Sequence, residues 1–446
     1  MSKFVDRPRY SCALGGAVGM LRAMPRTIAI VHGSAGCGGN INAAINAGAG
    51  YLGGGYCGGS ALPSSNVVER DVVFGGETRL REQIKSSLEI LDGDLFVVVT
   101  GCMVDMIGDD TVSVVAEFAD SEKPVIAVPT PSFKGSAFTG YELLFKGLIQ
   151  RYIEKSAEKD PFAVNVLGIV PAQDVFWKGN LREIKRLLEK FGLHVNTFFG
   201  EGETLDNFKK AGKAAFTIVV SNNFGIESAR YFEEVHGIPY IVTGFPIGAI
   251  AGETFLKTVG NALHIAPARV EQTLAEEKSI YYDYFERISD LYNDIDLQRY
   301  AVVVGDSNYA PALTRFLSDE LGWLPELAVI TDLLNEQQQQ VTVAQFAGLN
   351  SGISPQIHFD SDTSSVKKHL RDLWPRNRNN RYYDAFGPAV ILGSSFEREL
   401  AQEFGFPLVP VSFPLTGRCV MNRAYAGFNG GLSLTEDIIS YLVAGR

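Results

Sequence analysis

The sequence predicts an α/β protein built from doubly wound parallel sheets. Short runs rich in Val and Ile alternate with amphipathic helical stretches along the chain. Those runs are continuously apolar, as strands buried on both faces are, and burial on both faces belongs to parallel sheets covered by helices. With 446 residues the chain also exceeds the size at which one core keeps growing, so several domains are expected.

Taken in order, Thr27–Val31, Leu95–Thr100 and Val125–Val128 read as strands, each followed by Gly or Pro and then a helix-like stretch. A polar joint over Glu154–Asp160 ends this rhythm. It restarts with a strand over Asn165–Val170, a helix over Leu181–Phe191, a strand over Ala215–Val220 and a helix over Ile226–Val235. A long helical stretch, Ala251–Asp296, turns aromatic and acidic from Tyr281 onward. Beyond it come a strand at Tyr300–Val304, a helix at Ala310–Leu321, and strands at Leu327–Ile330, Ala389–Leu392 and Leu408–Val411. Three Rossmann-like domains account for this pattern, with expected limits 1–155, 156–297 and 298–446 and the helical stretch bridging the second and third. Tyr51–Ser60 (YLGGGYCGGS) is too rich in glycine for a helix or central strand and is expected to be a loop. The run Gln337–Gln340 is expected on an exposed turn or helix, without a function.

A net charge of −11 argues against a phosphate-binding surface for nucleic acid. No apolar run is long enough to cross a bilayer, so no membrane partner is expected. The start, MSKFVDRPRYSC, lacks the apolar core of a secretory signal, and a cytoplasmic location is expected. In such a chain five cysteines are not a disulfide framework. Metal ligation, reactivity and plain burial remain, and their placement discriminates.

Cys37 follows the first strand in HGSAGCGGN, Cys102 follows the second in TGCMVDMIGDD, and Ser132 follows the third in PTPSFKGS. Open parallel sheets bind ligands outside the carboxyl ends of their strands. Three successive strands therefore bring thiol, thiol and hydroxyl to one crevice, and the glycines of YSCALGGAV let Cys12 fold over the same edge. Grouped thiolates select soft metals and iron–sulfur clusters. Three thiols fall short of the usual four, so a second chain would complete the set. Free cysteines are also among the most buried residues, a reading that weakens when two of them share the ligand end of one sheet. Cys57 and Cys419 have no such support and read as non-ligands. Ser132 is equally a turn hydroxyl bonding its own backbone. His32 reads as a structural hydrogen-bonding residue, while His194, His236, His264, His358 and His369 are scattered and need only surface or core roles. Asp105, Asp109 and Asp110 lie near a helix start, where capping and dipole pairing account for them.

Through YSCALGGAV, MPRTIAIVHGSAGC, DVVFGGETRLREQI, TGCMVDMIGDD and VPTPSFKGSAFTGYELLFKGL, in that order, the chain resembles the β-type subunit of nitrogenase component 1. Near its end VPVSFPLTGRCVMNRAYAGFNGG resembles the β-type closing segment. The resemblance implies that Cys12, Cys37 and Cys102 are the β-side thiolates of an electron-relay cluster, the [8Fe-7S] P-cluster type shared with the α subunit. Ser132 takes the place of a serine that can bind the oxidised cluster. In the family the α-type subunit holds a large catalytic iron–sulfur cofactor through a cysteine and a histidine. Here the corresponding segment, SNNFGIESARYF, has Asn222 and Asn223 and no thiol, and the closing segment has no histidine. The implied partners are an α-type subunit in an α2β2 heterotetramer and a homodimeric ATP-dependent iron–sulfur reductase that docks transiently. A short lead before Cys12 and the glycine-rich Tyr51–Ser60 make the chain most similar to nitrogenase-like methylthio-alkane reductases, which implies reductive cleavage of carbon–sulfur bonds. Dinitrogen reduction and a non-catalytic cofactor-maturation scaffold are the alternatives within the family. A Rossmann-type small-molecule binder with incidental cysteines is the alternative outside it.

Overall fold

A computed structural model describes residues 5, 8–51, 61–294, 297–374 and 389–444. Strands β1 (Thr27–His32), β2 (Leu95–Thr100) and β3 (Val125–Val128) form a parallel sheet in the order β1-β2-β3, with Ile30 beside Val98 and Val98 beside Ala127. Every residue of β2 is buried, and the two-residue period of the strand divides its side chains between two layers. Phe96 and Val98 pack with Leu80, Ile84 and Val114 from helices Glu77–Ile90 and Thr111–Ala116. Leu95, Val97 and Val99 join the main core with Leu14, Val18, Leu144 and Phe145 from helices Ala13–Ala23 and Ala137–Arg151. These last two helices cross in close contact, and only glycine permits it: a Cβ on Gly140 would lie 1.9 Å from the Ala13 carbonyl oxygen.

The second sheet contains β4 (Asp160–Leu167), β5 (His194–Asn196), β6 (Ala214–Val219) and β7 (Tyr240–Val242) in the order β5-β4-β6-β7. The third contains β8 (Tyr300–Gly305), β9 (Leu324–Ile330), β10 (Gln356–Phe359), β11 (Val390–Gly393) and β12 (Leu408–Pro410) in the order β10-β9-β8-β11-β12. All paired strands in the three sheets run parallel, as the apolar runs predict. No described helix is long and apolar enough to cross a membrane.

Several elements differ from expectation. The strand expected at Asn165–Val170 begins at Asp160 and ends at Leu167, because Gly168 turns the chain at φ +103°. The polar joint thus loses its last residue to β4. Strands β5, β7 and β10 were not legible, being three or four residues long and mostly half-exposed. The stretch Ala251–Asp296 is not one helix but Gly248–Ala262, Pro267–Phe285 and Ile288–Asp294, broken where His264 turns left-handed and Pro267 starts a new helix. The first of these packs against helix Tyr309–Asp319, which follows β8, and against the closing helix Gly427–Ala444. The glutamine run lies in helix Glu336–Ala344, where Gln338 forms a capping box with Asn335. Of the glycine-rich segment only Tyr51 is described, so 52–60, Cys57 among them, lie outside the described residues.

A buried polar knot ties the later parts together. The Tyr309 hydroxyl donates to Asp174 (2.9 Å), and the Asn180 amide donates to Asp174 (2.9 Å) and to the Tyr309 hydroxyl (2.6 Å). The Asn180 carbonyl oxygen accepts from the backbone amides of Tyr425 (2.8 Å) and Ala426 (3.0 Å) in the closing segment. Burial pushes the Asp174 carboxyl up to about 7, against the pull of its hydrogen bonds. The folded state then keeps a proton that the unfolded chain releases near 3.8, so this group's contribution to stability is full at low pH and is lost as pH rises toward about 7. Asp174→Asn is expected to flatten that part of the stability–pH profile, measured by denaturant titration across the interval. An unchanged slope would contradict the assignment.

Candidate functional site

Four chain segments are stitched together at the carboxyl edge of the first sheet. After β1 the chain enters helix Ala35–Gly48 through its cap Ser34, and Cys37 sits in the first turn, where the Ser34 hydroxyl donates to its sulfur at 3.4 Å. After β2, Gly101 caps the short helix Cys102–Ile107, placing Cys102 at its first position. After β3, Ser132 opens a turn of 3₁₀ helix, and its hydroxyl is hydrogen-bonded to the Cys102 thiol. Cys12 caps helix Ala13–Ala23 and pairs by backbone with Ser136.

The stitches are backbone contacts. The Gly101 amide donates to the His32 carbonyl oxygen at 2.8 Å, and a Cβ on Gly33 would lie 3.5 Å from the Gly101 Cα. The Ala13 amide donates to Gly135 (3.1 Å) and the Ala137 amide to Ser11 (2.7 Å), which fixes Cys12 beside the Ser132 turn. Leu14 in turn lies against Gly101, 3.9 Å from the position a Cβ would take there. Cys12, Cys37 and Cys102 are all half-buried. Cys12 and Cys37 lean on the core with one side, and Gly39, two residues past Cys37, has nothing within 4 Å of where its Cβ would be.

This donor set suits an inorganic cluster only in part. The segments bearing three thiols and a hydroxyl leave one sheet edge, and thiols are the ligands an iron–sulfur group requires. Among the described residues, however, no group of three or more Cys, His, Asp or Glu is placed where it could hold a metal ion. Each of the three sulfur-bearing residues is only half-buried and so keeps part of its surface outside the core. Cys419 is exposed.

His32 is fully buried, with Nδ1 2.8 Å from the Ser65 hydroxyl and Nε2 3.0 Å from Asp109, so its role is hydrogen bonding. Burial lowers its pKa and outweighs the carboxylate beside it, so the ring is neutral near pH 7. The three aspartates part company. Asp110 is a true N-cap, accepting from the Ser113 amide at 3.0 Å. Asp105 lies in the first turn of its helix, with one buried carboxylate oxygen unpartnered. Asp109 serves a different helix start: it joins His32 to the amide of Gly76, the N-cap of helix Glu77–Ile90, at 3.0 Å. The remaining histidines belong to other parts of the fold: His194 pairs with Asp160 (3.1 Å), His236 bonds the Ile149 carbonyl (3.2 Å), and His358 stacks on His369, which pairs with Asp360 (3.1 Å). His264 holds the left-handed turn noted above.

Sequence reasoning missed an exposed apolar collar beside the thiols. Phe74 is 82% exposed, Met106 78% and Val73 73%, on helices Glu69–Phe74 and Cys102–Ile107, which pack on one another. Phe133, next to Ser132, is 62% exposed. In the sequence the run VVF matters only as part of the resemblance, and its position on a short surface helix is what exposes it. Past β6, Ser221 accepts from the amides of Asn223 (3.1 Å) and Phe224 (2.8 Å), and Asn223 donates to Thr342 (2.9 Å). Asn222 lines a cavity of about 410 Å³ with Phe245, Ile247 and Phe316, and no thiol or imidazole faces it.

The family described as Nitrogenase component 1 type Oxidoreductase matches residues 12–442. The chain is 26% identical to the nitrogenase molybdenum-iron protein beta chain of Bradyrhizobium diazoefficiens, over 97% of this chain and 83% of that one. It is 22% identical to the nitrogenase iron-iron protein beta chain of Rhodobacter capsulatus, over 98% and 94% respectively. The solved structure of nitrogenase Cp1 at pH 6.5 has the same fold, with a TM-score of 0.81 at 21% identity, covering 100% of this chain and 94% of that one.

The placement of the thiols is open to a direct test. In the native isolated chain, iodoacetamide is expected to label Cys419 first and then Cys12, Cys37 and Cys102, followed residue by residue by mass spectrometry. Protection of any of the three until unfolding would contradict their half-exposed placement.

Proposed function

The chain belongs to the nitrogenase component 1 type oxidoreductase family as a beta-chain-like subunit, and on that premise we propose that it is the electron-relay half of a two-subunit reductase. Cys12, Cys37 and Cys102 hold this chain's share of an [8Fe-7S] cluster of P-cluster type, and an α-type subunit supplies the remaining thiolates. The observation that supports the reading is that Cys12, Cys37 and Cys102, each half-buried, lie with Ser132 on segments held together at a single sheet edge. When bound, the cluster supplies storage and passage of electrons.

What this chain does is positional. The turns after β1 and β2 are locked by the Gly101–His32 hydrogen bond, so the spacing of Cys37 and Cys102 is set by strand pairing rather than by flexible loops. The Ser132 hydroxyl holds the Cys102 sulfur and can exchange a proton with it, or serve as an additional oxygen ligand. Burial of one side of each thiol excludes water there, and the other side is left for the partner chain to cover. Asn222 and Asn223 stand where the family's α-type subunit has its cofactor thiol, so the large catalytic iron–sulfur cofactor resides in the partner of an α2β2 heterotetramer. The collar of Val73, Phe74 and Met106 is the docking face for a homodimeric ATP-dependent iron–sulfur reductase: apolar, small, beside the thiols and on a firmly packed scaffold, as a transient interface requires. The protein acts in the cytoplasm.

For the substrate we favour reductive carbon–sulfur cleavage of methylthio-alkanes, supported by the glycine-rich Tyr51–Ser60. Dinitrogen reduction is the second reading, favoured by the nitrogenase beta chains among its relatives. Anaerobic purification with the α partner and the reductase, followed by assay against both methylthio-alkanes and dinitrogen, decides between them.

Cys37→Ala or Cys102→Ala in the co-expressed complex is expected to lower iron per αβ pair and to cut donor-driven activity by more than about tenfold. Unchanged iron and an unchanged paramagnetic signal would remove the ligand assignment. Phe74→Asp should leave iron unaltered while raising the KM for the reductase by about tenfold, the cost of losing one apolar anchor. An unaltered KM would move the docking face elsewhere.

A further inference from the structure

A continuous hydrogen-bonded chain links the apolar collar to the thiol-bearing turns. At one end the Gly33 amide, in the turn that leads from β1 to Cys37, donates to the Ser65 hydroxyl at 3.1 Å. That hydroxyl lies 2.8 Å from His32 Nδ1, and His32 Nε2 lies 3.0 Å from Asp109 Oδ2. Because a carboxylate only accepts, Nε2 carries the imidazole proton and Nδ1 accepts from Ser65. At the other end both Asp109 oxygens accept from the Gly76 amide, at 3.0 and 3.1 Å. Gly76 is two residues beyond Phe74, and Asp109 follows directly on the helix that carries Cys102 and Met106.

The chain is buried and tight. The His32 and Asp109 side chains are 0% and 3% exposed. A Cβ on Gly76 would fall 2.7 Å from Asp109 Oδ2 and 3.1 Å from His32 Cε1, so the backbone after Phe74 is pressed onto the pair. Each hydrogen bond leaves its partner no water to turn to, so a displacement at either end must be shared along the chain or break it. Structural support of β1 alone does not require this path. The ladder with β2, the Gly101 contact, the Val67 amide on the Gly33 carbonyl (2.9 Å) and the packing of helix Glu77–Ile90 already hold that strand end, and the His32–Asp109 pair adds to them a buried side-chain path from Gly76.

We infer that His32 and Asp109 are positioning residues that transmit a shift of the Phe74–Gly76 segment, as a docking partner would impose, to the turns bearing Cys37 and Cys102. The inference rests on the relay and docking reading above and adds the path between the two surfaces. It concerns the rate of electron delivery after docking, not the affinity of docking.

The test uses the complete complex with Asp109→Asn, which keeps side-chain size while removing the carboxylate's purely accepting end. Ser65→Ala interrupts the chain at its other end without touching Asp109 or His32. In both variants the donor-driven rate at saturating reductase is expected to fall, about tenfold for Asp109→Asn, with the KM for the reductase within about twofold. Iron per αβ pair and direct reduction by dithionite, which needs no docking, are expected to match the unaltered complex. Donor-driven rates unchanged in both variants would overturn the inference. So would equal losses in donor-driven and dithionite reduction, which would reveal plain structural damage. An iron-free unaltered complex would instead sink the relay reading itself, a result distinguishable from either.

Discussion

At the carboxyl end of the first sheet the turns leaving β1 and β2 run so close that the Gly101 amide reaches the His32 carbonyl at 2.8 Å, and Gly33 and Gly101 face each other without side chains. Strand pairing fixes the starting points of these turns, and glycine lets them stay together after the ladder ends. The placement of Cys37 and Cys102 follows from that closeness, and so does the reach of Ser132 from the neighbouring strand. On the other side of the site, the glycine crossing of helices Ala13–Ala23 and Ala137–Arg151 brings Cys12 to the Ser132 turn. Bulkier residues at these crossings would separate the sulfur-bearing segments before any change reached the sulfurs themselves.

Elsewhere the fold uses buried polar contacts to hold its parts in register. Asp174, Asn180 and Tyr309 bind the second sheet's region to the third, and through Asn180 to the closing segment. Arg9, three residues before Cys12, forms a buried ion pair with Glu397 and donates to Ser394 at 3.3 Å, both residues lying beyond β11. Breaking a buried pair by removing one partner is costly because it strands the other charge. The segment leading into the Cys12 cap is thus anchored to the third sheet as well as to the first. The thiol edge is supported from regions distant in sequence as well as by its own sheet.

A self-sufficient metal site would bring its ligands into one closed group, and a structural cysteine would sit wholly inside the core. These three thiols do neither, and the exposed Phe74 and Met106 beside them are side chains that a chain without partners would ordinarily cover. Under the proposed function, half-buried sulfur and an exposed apolar collar share one explanation, surfaces that other polypeptides complete.

The sequence by itself determined the parallel α/β class, because continuous Val- and Ile-rich runs can be stable only when both faces are covered, and it determined which strand end carries Cys37, Cys102 and Ser132. It also placed His32 correctly as a hydrogen-bonding residue. Strands β5, β7 and β10 escaped it, since three or four half-exposed residues carry too little periodicity to register. The break at His264–Pro267 was overrun because the apolar spacing continues across it. The tertiary structure alone decided that Asp109 serves His32 and the start of the distant helix Glu77–Ile90, that Val73 and Phe74 face outward, and that Cys12 meets the Ser132 turn. Each of those depends on contact between segments remote along the chain, and local periodicity contains no record of which distant backbone will arrive beside it.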